Sequence, residues 1–154
     1  MTNNYDAILI GAGPAGSSAA TILAEKGHNV LLIEREKFPR YHVGESLLPF
    51  TFEPLKRLGL IDDMRSSSFT KKYSVQFIST SGEASQPFYF NSRYEDDVAQ
   101  TWQVLRSEFD HMLLKKARSK GANILEETQV LDLLRDGERV TGVRVRTSDG
   151  NEVE

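Results

Sequence analysis

The hexapeptide GAGPAG, Gly11 to Gly16, and a glutamate about twenty positions later, Glu34, form a set able to bind a dinucleotide. Gly11 permits a tight turn, Gly13 lets the backbone approach a pyrophosphate, and Gly16 allows close helix–strand packing. Pro14 and Ala15 open a helix whose free N–H groups and positive dipole end face the phosphates. Glu34, followed by Arg35, is placed to accept hydrogen bonds from an adenosine ribose. A carboxylate there repels a 2′-phosphate, which disfavours NADP. A glycine hexapeptide alone is a weak signal, and the bland alternative is a set of turn glycines with a surface glutamate. The strand before it, the helix after it and the acid beyond give it weight.

The elements that position these groups follow from local pattern. Tyr5 to Ile10 reads as a short buried strand, Pro14 to Lys26 as a helix stopped by Gly27, and Val30 to Ile33 as a second buried strand. The first turns of the helix, AGSSAA, carry little bulk and can approach a strand closely. Strand, helix and strand in about thirty residues make a βαβ unit, hence a parallel sheet with a right-handed crossover.

From Phe38 the organisation changes. FPRYHVGESLLPF is too irregular for a strand and too broken for one helix. Pro49 and Pro54 divide SLLPF and EPLKRLGL into two short helical pieces, the second stopped by Gly59. DDMRSSSF reads as a polar connection. KYSVQFIST and ASQPFYFNS read as strands around a turn near Ser81-Gly82, and RYEDDVAQ as a loop. Ser107 to Lys120 returns to helix, with Ser107 and Asp110 as a capping-box-like start and Phe109, Met112, Leu113 and Ala117 on one face. ANILEE is a strand, followed by a hairpin with turns at Asp136-Gly137 and Asp149-Gly150. The expected parts are 1–36, 37–104 and 105–154. The sheets are short of partners, so the expectation is the N-terminal part of a longer enzyme.

Composition narrows the class. The 154 residues are 39% hydrophobic and 27% charged, with a formal net charge of −3, as in an ordinary soluble domain. Nothing points to nucleic acid or an anionic membrane as partner. The absence of cysteine removes thiolate chemistry and Cys-ligated metal, and no metal site is expected. The N-terminus lacks a signal-peptide pattern, and no apolar run approaches the ~20 residues of a membrane span. A cytoplasmic protein is expected. After its βαβ unit the chain turns to prolines and strands rather than further βα units. That suits FAD, whose far end is held by the rest of the polypeptide.

GAGPAG, IE, FPRYHVGESLLP and WQVLRSEFD together resemble the FAD-dependent halogenases, particularly the pyrrole and phenol branch, within the flavoprotein monooxygenases of p-hydroxybenzoate hydroxylase fold. The resemblance implies an α/β, Rossmann-like FAD-binding fold with a β-rich excursion. It places Arg40 near the pyrophosphate and Gly44, Glu45 and Ser46 against the flavin's middle and ring, with Ser46 able to cap the next helix. Arg106 would meet the ribityl–phosphate region, with Gln103 a nearby candidate and Val130 also assigned to the cofactor. The alternatives are solvated loop residues for Arg40 and His42 and an outward strand residue for Gln103, while Trp102 is expected in the core and not stacked on the cofactor.

Halogenases of this group carry a lysine in F-x-x-K-x-G-x-x-F-x-W-G. Phe69, Lys72 and Phe77 keep that spacing, whereas Ser74, Ser79 and Thr80 replace the glycine, tryptophan and glycine. In the mechanism the resemblance implies, a flavin hydroperoxide oxidises halide and Lys72 directs the hypohalous acid. The partners would be a small aromatic or pyrrole-type substrate and a separate flavin reductase. Two solvated amines at Lys71-Lys72 are the alternative. A hydroxylase, a geranylgeranyl-reductase-like flavoprotein and a non-catalytic nucleotide-binding module remain open.

Overall fold

The computed structural model describes residues 4–93 and 96–154. In chain order the elements are β1 (Ala7–Ile10), α1 (Pro14–Glu25), β2 (Val30–Ile33), α2 (Phe52–Arg57), α3 (Ile61–Ser66), β3 (Thr70–Lys72), β4 (Ser74–Val75), β5 (Phe88–Tyr89) and β6 (Thr101–Gln103). They continue with α4 (Arg106–Ser119), β7 (Asn123–Leu125), β8 (Gln129–Asp136), β9 (Arg139–Arg146) and β10 (Glu152–Val153). Two compact units result, residues 1–42 with 106–154, and residues 43–105.

In the first unit β2 lies between β1 and β7, and both pairings are parallel. All four residues of β2 are buried, as a strand covered on both faces requires. Its alternation assigns the faces. Val30 and Leu32 join Ala20 of α1 and Leu114 and Ala117 of α4 in one core. Leu31 and Ile33 pack with Val145 of β9, with Val130 and Val143 beside them. The unit therefore has three layers, helices, parallel sheet and antiparallel hairpin. Burying Leu32 completely is worth about 2 kcal/mol, so the alternation specifies both interfaces. Small residues let α1 approach its neighbours: Ser17, Ala20 and Thr21 are buried, and Thr21 Oγ1 donates back to the Ser17 carbonyl at 2.8 Å.

The hairpin β8–β9 forms as expected, with Gly137 at φ +58° in its turn. After Gly150, at φ +84°, β10 adds antiparallel to β9.

The second unit departs from expectation in three places. Ser46 and Leu47 are not helical: Ser46 bridges Gln103 of β6, and Leu47 N–H donates to the Trp102 carbonyl at 3.1 Å. Leu48, at φ −91° and ψ 154°, precedes Pro49, whose ring disfavours helical backbone in the residue before it. The helical turn begins at Pro49 and runs into α2. DDMRSSSF is not a plain connection, because α3 occupies Ile61–Ser66 with Asp62 and Asp63 at its positive end and Met64 buried. Six residues carry too little periodicity to announce a helix. The expected strand pair shrinks to β4 and β5 plus an Ile78–Ala84 bridge around Gly82. Pro87, without an N–H, interrupts the ladder just before β5. Of the expected RYEDDVAQ loop, Tyr94 and Glu95 lie outside the described residues, and Asp96–Ala99 is a 3₁₀ turn.

Candidate functional site

In the first unit, Gly11 sits at φ +93°, and its N–H donates to the Ile33 carbonyl at 2.7 Å, tying the glycine turn to the end of β2. Gly13 is the residue before α1, and Pro14 occupies the first helical position, where its missing N–H costs nothing. No acidic side chain lies in that first turn. The two inner glycines play different parts. A Cβ on Gly16 would lie 1.9 Å from the Gly11 carbonyl oxygen, whereas one on Gly13 would meet Arg40 Nη2 at 3.7 Å, an ordinary contact. Gly16 serves packing, and Gly13 keeps the approach to the loop clear.

Glu34 is almost fully buried. Its Oε2 accepts the Ala12 N–H at 2.8 Å and its Oε1 the Glu36 N–H at 3.0 Å. A carboxylate offers about four acceptor positions, so two remain for another donor. Gly11, Gly13, Glu34, Arg35, Arg40 and Val130 line one cleft of about 390 Å³. His42, Thr128 and Gln129 also line it, although sequence patterning did not single out the latter two. Thr128 is buried, and its N–H donates to the Glu34 carbonyl at 2.9 Å.

Arg40 is nine-tenths buried and partnered. Its Nη1 donates to Asp110 Oδ2 at 3.2 Å, its Nε approaches Glu36 Oε2 at 3.3 Å, and its guanidinium carbon sits 4.7 Å from the centre of the Phe38 ring. Arg106 grips the same carboxylate with Nε at 2.7 Å from Oδ1 and Nη2 at 2.9 Å from Oδ2. The hydrogen bond to Asp110 is the leading reason that the Arg106 pKa is raised. The capping-box expectation is corrected here. α4 begins at Arg106, which puts Ser107 inside the first turn, and Asp110 faces two arginines.

In the second unit, β6 pairs antiparallel with β3, so Lys71 lies opposite Trp102 and Lys72 opposite Thr101. Trp102 is core, as expected. Gln103 Nε2 donates to Glu45 Oε2 at 3.3 Å, and Val104 N–H donates to the Glu45 carbonyl at 2.8 Å. Gly44 is at φ +104°, where only glycine is unstrained. Ser46 does not cap a helix, since no side chain caps the turn at Pro49. Its hydroxyl instead accepts a hydrogen bond from Lys72 Nζ, which also donates to the Leu47 carbonyl at 3.2 Å. Partial burial lowers the Lys72 pKa. Neighbours in a strand point to opposite faces, and the pair is accordingly unequal: Lys72 is half-buried and Lys71 exposed. Among the described residues, no cluster of His, Asp or Glu could hold a metal, and no helix is long and apolar enough to cross a membrane.

The family model described as FAD binding domain matches residues 4–154. The chain belongs to the FAD-binding domain family. Its relatives among curated proteins include the 1H-pyrrole-2-carbonyl-[peptidyl-carrier protein] brominase of Pseudoalteromonas luteoviolacea, 36% identical over 95% of this chain and 34% of that protein. The tryptophan 2-halogenase of Chondromyces crocatus is 36% identical over 94% of this chain and 27% of that protein. Among solved structures, the myxobacterial chondrochloren halogenase CndH superposes with TM-score 0.90 at 43% identity, over 97% of this chain and 34% of that one. The resemblance to flavin-dependent halogenases read from the motifs is thus matched across nearly the whole chain, and this FAD-binding domain spans between 27% and 34% of the length of those relatives. The α/β expectation holds. The cleft suits the cofactor: an open backbone approach at Gly13, a helix start with no acidic residue in its first turn and a guanidinium beside them are what a diphosphate needs.

Proposed function

We propose that the protein is an FAD-dependent oxidoreductase that halogenates an electron-rich aromatic or pyrrole-type small molecule. The cleft of the first unit holds the AMP half of FAD, with Gly11, Gly13 and the start of α1 on the diphosphate and Glu34 on the ribose. Bound and reduced, FAD supplies the oxygen activation that oxidises halide to hypohalous acid. The observation that carries the reading beyond cofactor binding is Lys72, whose ammonium donates to both the Ser46 hydroxyl and the Leu47 carbonyl. Glu45 and Ser46 belong to the segment expected at the flavin, and the lysine that fits the halogenase spacing is the one docked on it.

Lys72 donates a hydrogen bond to the oxygen of hypohalous acid. As the aromatic carbon takes the halogen, that oxygen leaves as water with the proton Lys72 provides, and the ring then gives up its own proton. The names of two relatives specify a pyrrole carried on a peptidyl-carrier protein, which supports a carrier-bound acyl group as one substrate form. Reduced flavin comes from a separate reductase.

The test uses the polypeptide with any adjoining sequence its gene carries, supplied with reduced FAD, oxygen and chloride or bromide. Carrier-bound pyrrole-2-carboxylate, tryptophan and a set of phenols serve as acceptors. Halogenated product is expected from the wild type. Lys72→Met should keep FAD and oxygen consumption but lose the product. Hydroxylated product without halogen, or full halogenation by the variant, would sink the reading.

A further inference from the structure

The two arginines near the glycine loop are not independent. Asp110 is completely buried in α4, and its Oδ2 is shared by Arg40 Nη1 and Arg106 Nη2. Arg106 is gripped on both oxygens, a bidentate geometry that leaves its guanidinium plane little freedom. Arg40 is fixed on three sides, by Asp110, by Glu36 and by the Phe38 ring, which leaves its Nη2 directed at Gly13. One buried carboxylate thus receives two guanidinium groups. Replacing buried ion pairs by apolar side chains is often neutral or stabilising, so stability alone explains three buried charges poorly. A site that must receive an anion explains them better, because two guanidinium groups repel and need a buried carboxylate to stand side by side.

We infer that Asp110 is a positioning residue for the cofactor's diphosphate, holding Arg40 and Arg106 as a paired fork beside the glycine loop. The inference rests on the dinucleotide reading of the cleft. Asp110 itself would not touch the cofactor. It would set where two donors stand before the ligand arrives, which lowers the ordering cost of binding.

The test compares titrations of the chain with FAD, ADP and adenosine, followed by calorimetry or NMR. Asp110→Asn should weaken ADP about tenfold while leaving adenosine within about twofold, because the side chain acts through the phosphate donors alone. Equal losses for ADP and adenosine, or an unchanged ratio between them, would overturn the inference and leave the dinucleotide reading standing. Should Asp110→Asn fail to fold, Arg106→Met/Asp110→Asn is compared with Arg106→Met, since removing both partners of a buried pair is better tolerated. A further fall in the ADP-to-adenosine ratio supports the hold on Arg40, and no further fall overturns it. A wild type that binds neither FAD nor ADP would remove the dinucleotide reading itself, and this inference with it.

Discussion

Glu34 Oε2 accepts the backbone N–H of Ala12 at 2.8 Å across 22 residues of sequence. The acid at the end of β2 thus clamps the glycine turn as well as facing the cleft. Sequence patterning assigned it to a ribose and had no means to see the clamp.

Glu34→Ala should therefore lower the unfolding free energy of the apo protein by about 2 kcal/mol, since two hydrogen bonds to a buried carboxylate vanish. It should also weaken FAD. Glu34→Gln keeps one acceptor oxygen and should fall between. Urea denaturation of the apo forms checks this, and an unperturbed Glu34→Ala midpoint would refute the clamp.

The two inner glycines should separate binding from stability. Gly13→Ala adds a methyl group with ordinary clearance, so apo stability should change by less than about 1 kcal/mol, while FAD affinity drops because the methyl occupies the backbone approach. Gly16→Ala forces a methyl against the Gly11 carbonyl and should lose both. Thermal melts with and without FAD distinguish the pair.

Lys72 should titrate below an ordinary lysine, because burial disfavours its ammonium. Between its native value and the unfolded value of 10.5, the native state binds fewer protons at this site than the unfolded chain. The group's contribution to stability therefore rises with pH across that window, and its penalty is fully present below it. Pulsed acylation with mass spectrometry across pH should give a labelling midpoint for Lys72 under 10.5. A midpoint at or above that value would contradict the burial.

Trp102 is core with a defect. Its Nε1–H finds no acceptor among the described residues. Trp102→Phe should then cost no more than about 1 kcal/mol, the lost volume being offset by removal of a stranded donor. Trp102→Ala should cost roughly 3–5 kcal/mol. Comparable losses from both would show that the indole N–H matters after all.

How far the sequence reached depended on distance along the chain. β2 was legible to the residue, and α1 to within its last residue, because four apolar positions, a proline and a following glycine are local signals. α3 was missed because six residues with one buried side chain resemble a polar connection. The local pattern of SLLPF suggests a helical piece over Ser46–Leu48, yet a bridge from Ser46 to Gln103, 57 residues on, outweighs that weak local preference. Among the candidate site residues, the glycine loop and Glu34 announced themselves by motif. Thr128 and Gln129 reach the cleft because β8 begins beside β2's end, which no spacing encodes.

By itself the sequence determined the βαβ unit, the glycine turn and the membership in an FAD-binding family, since each depends on contacts within about one βα repeat or on motifs copied intact. The tertiary structure alone decided that Asp110 carries two arginines, one of them 70 residues away, and that Lys72 rests on Ser46 across 26. A buried charge must find its partner wherever the packed layers bring one, and that choice is made by the assembled core, not by neighbours in the chain.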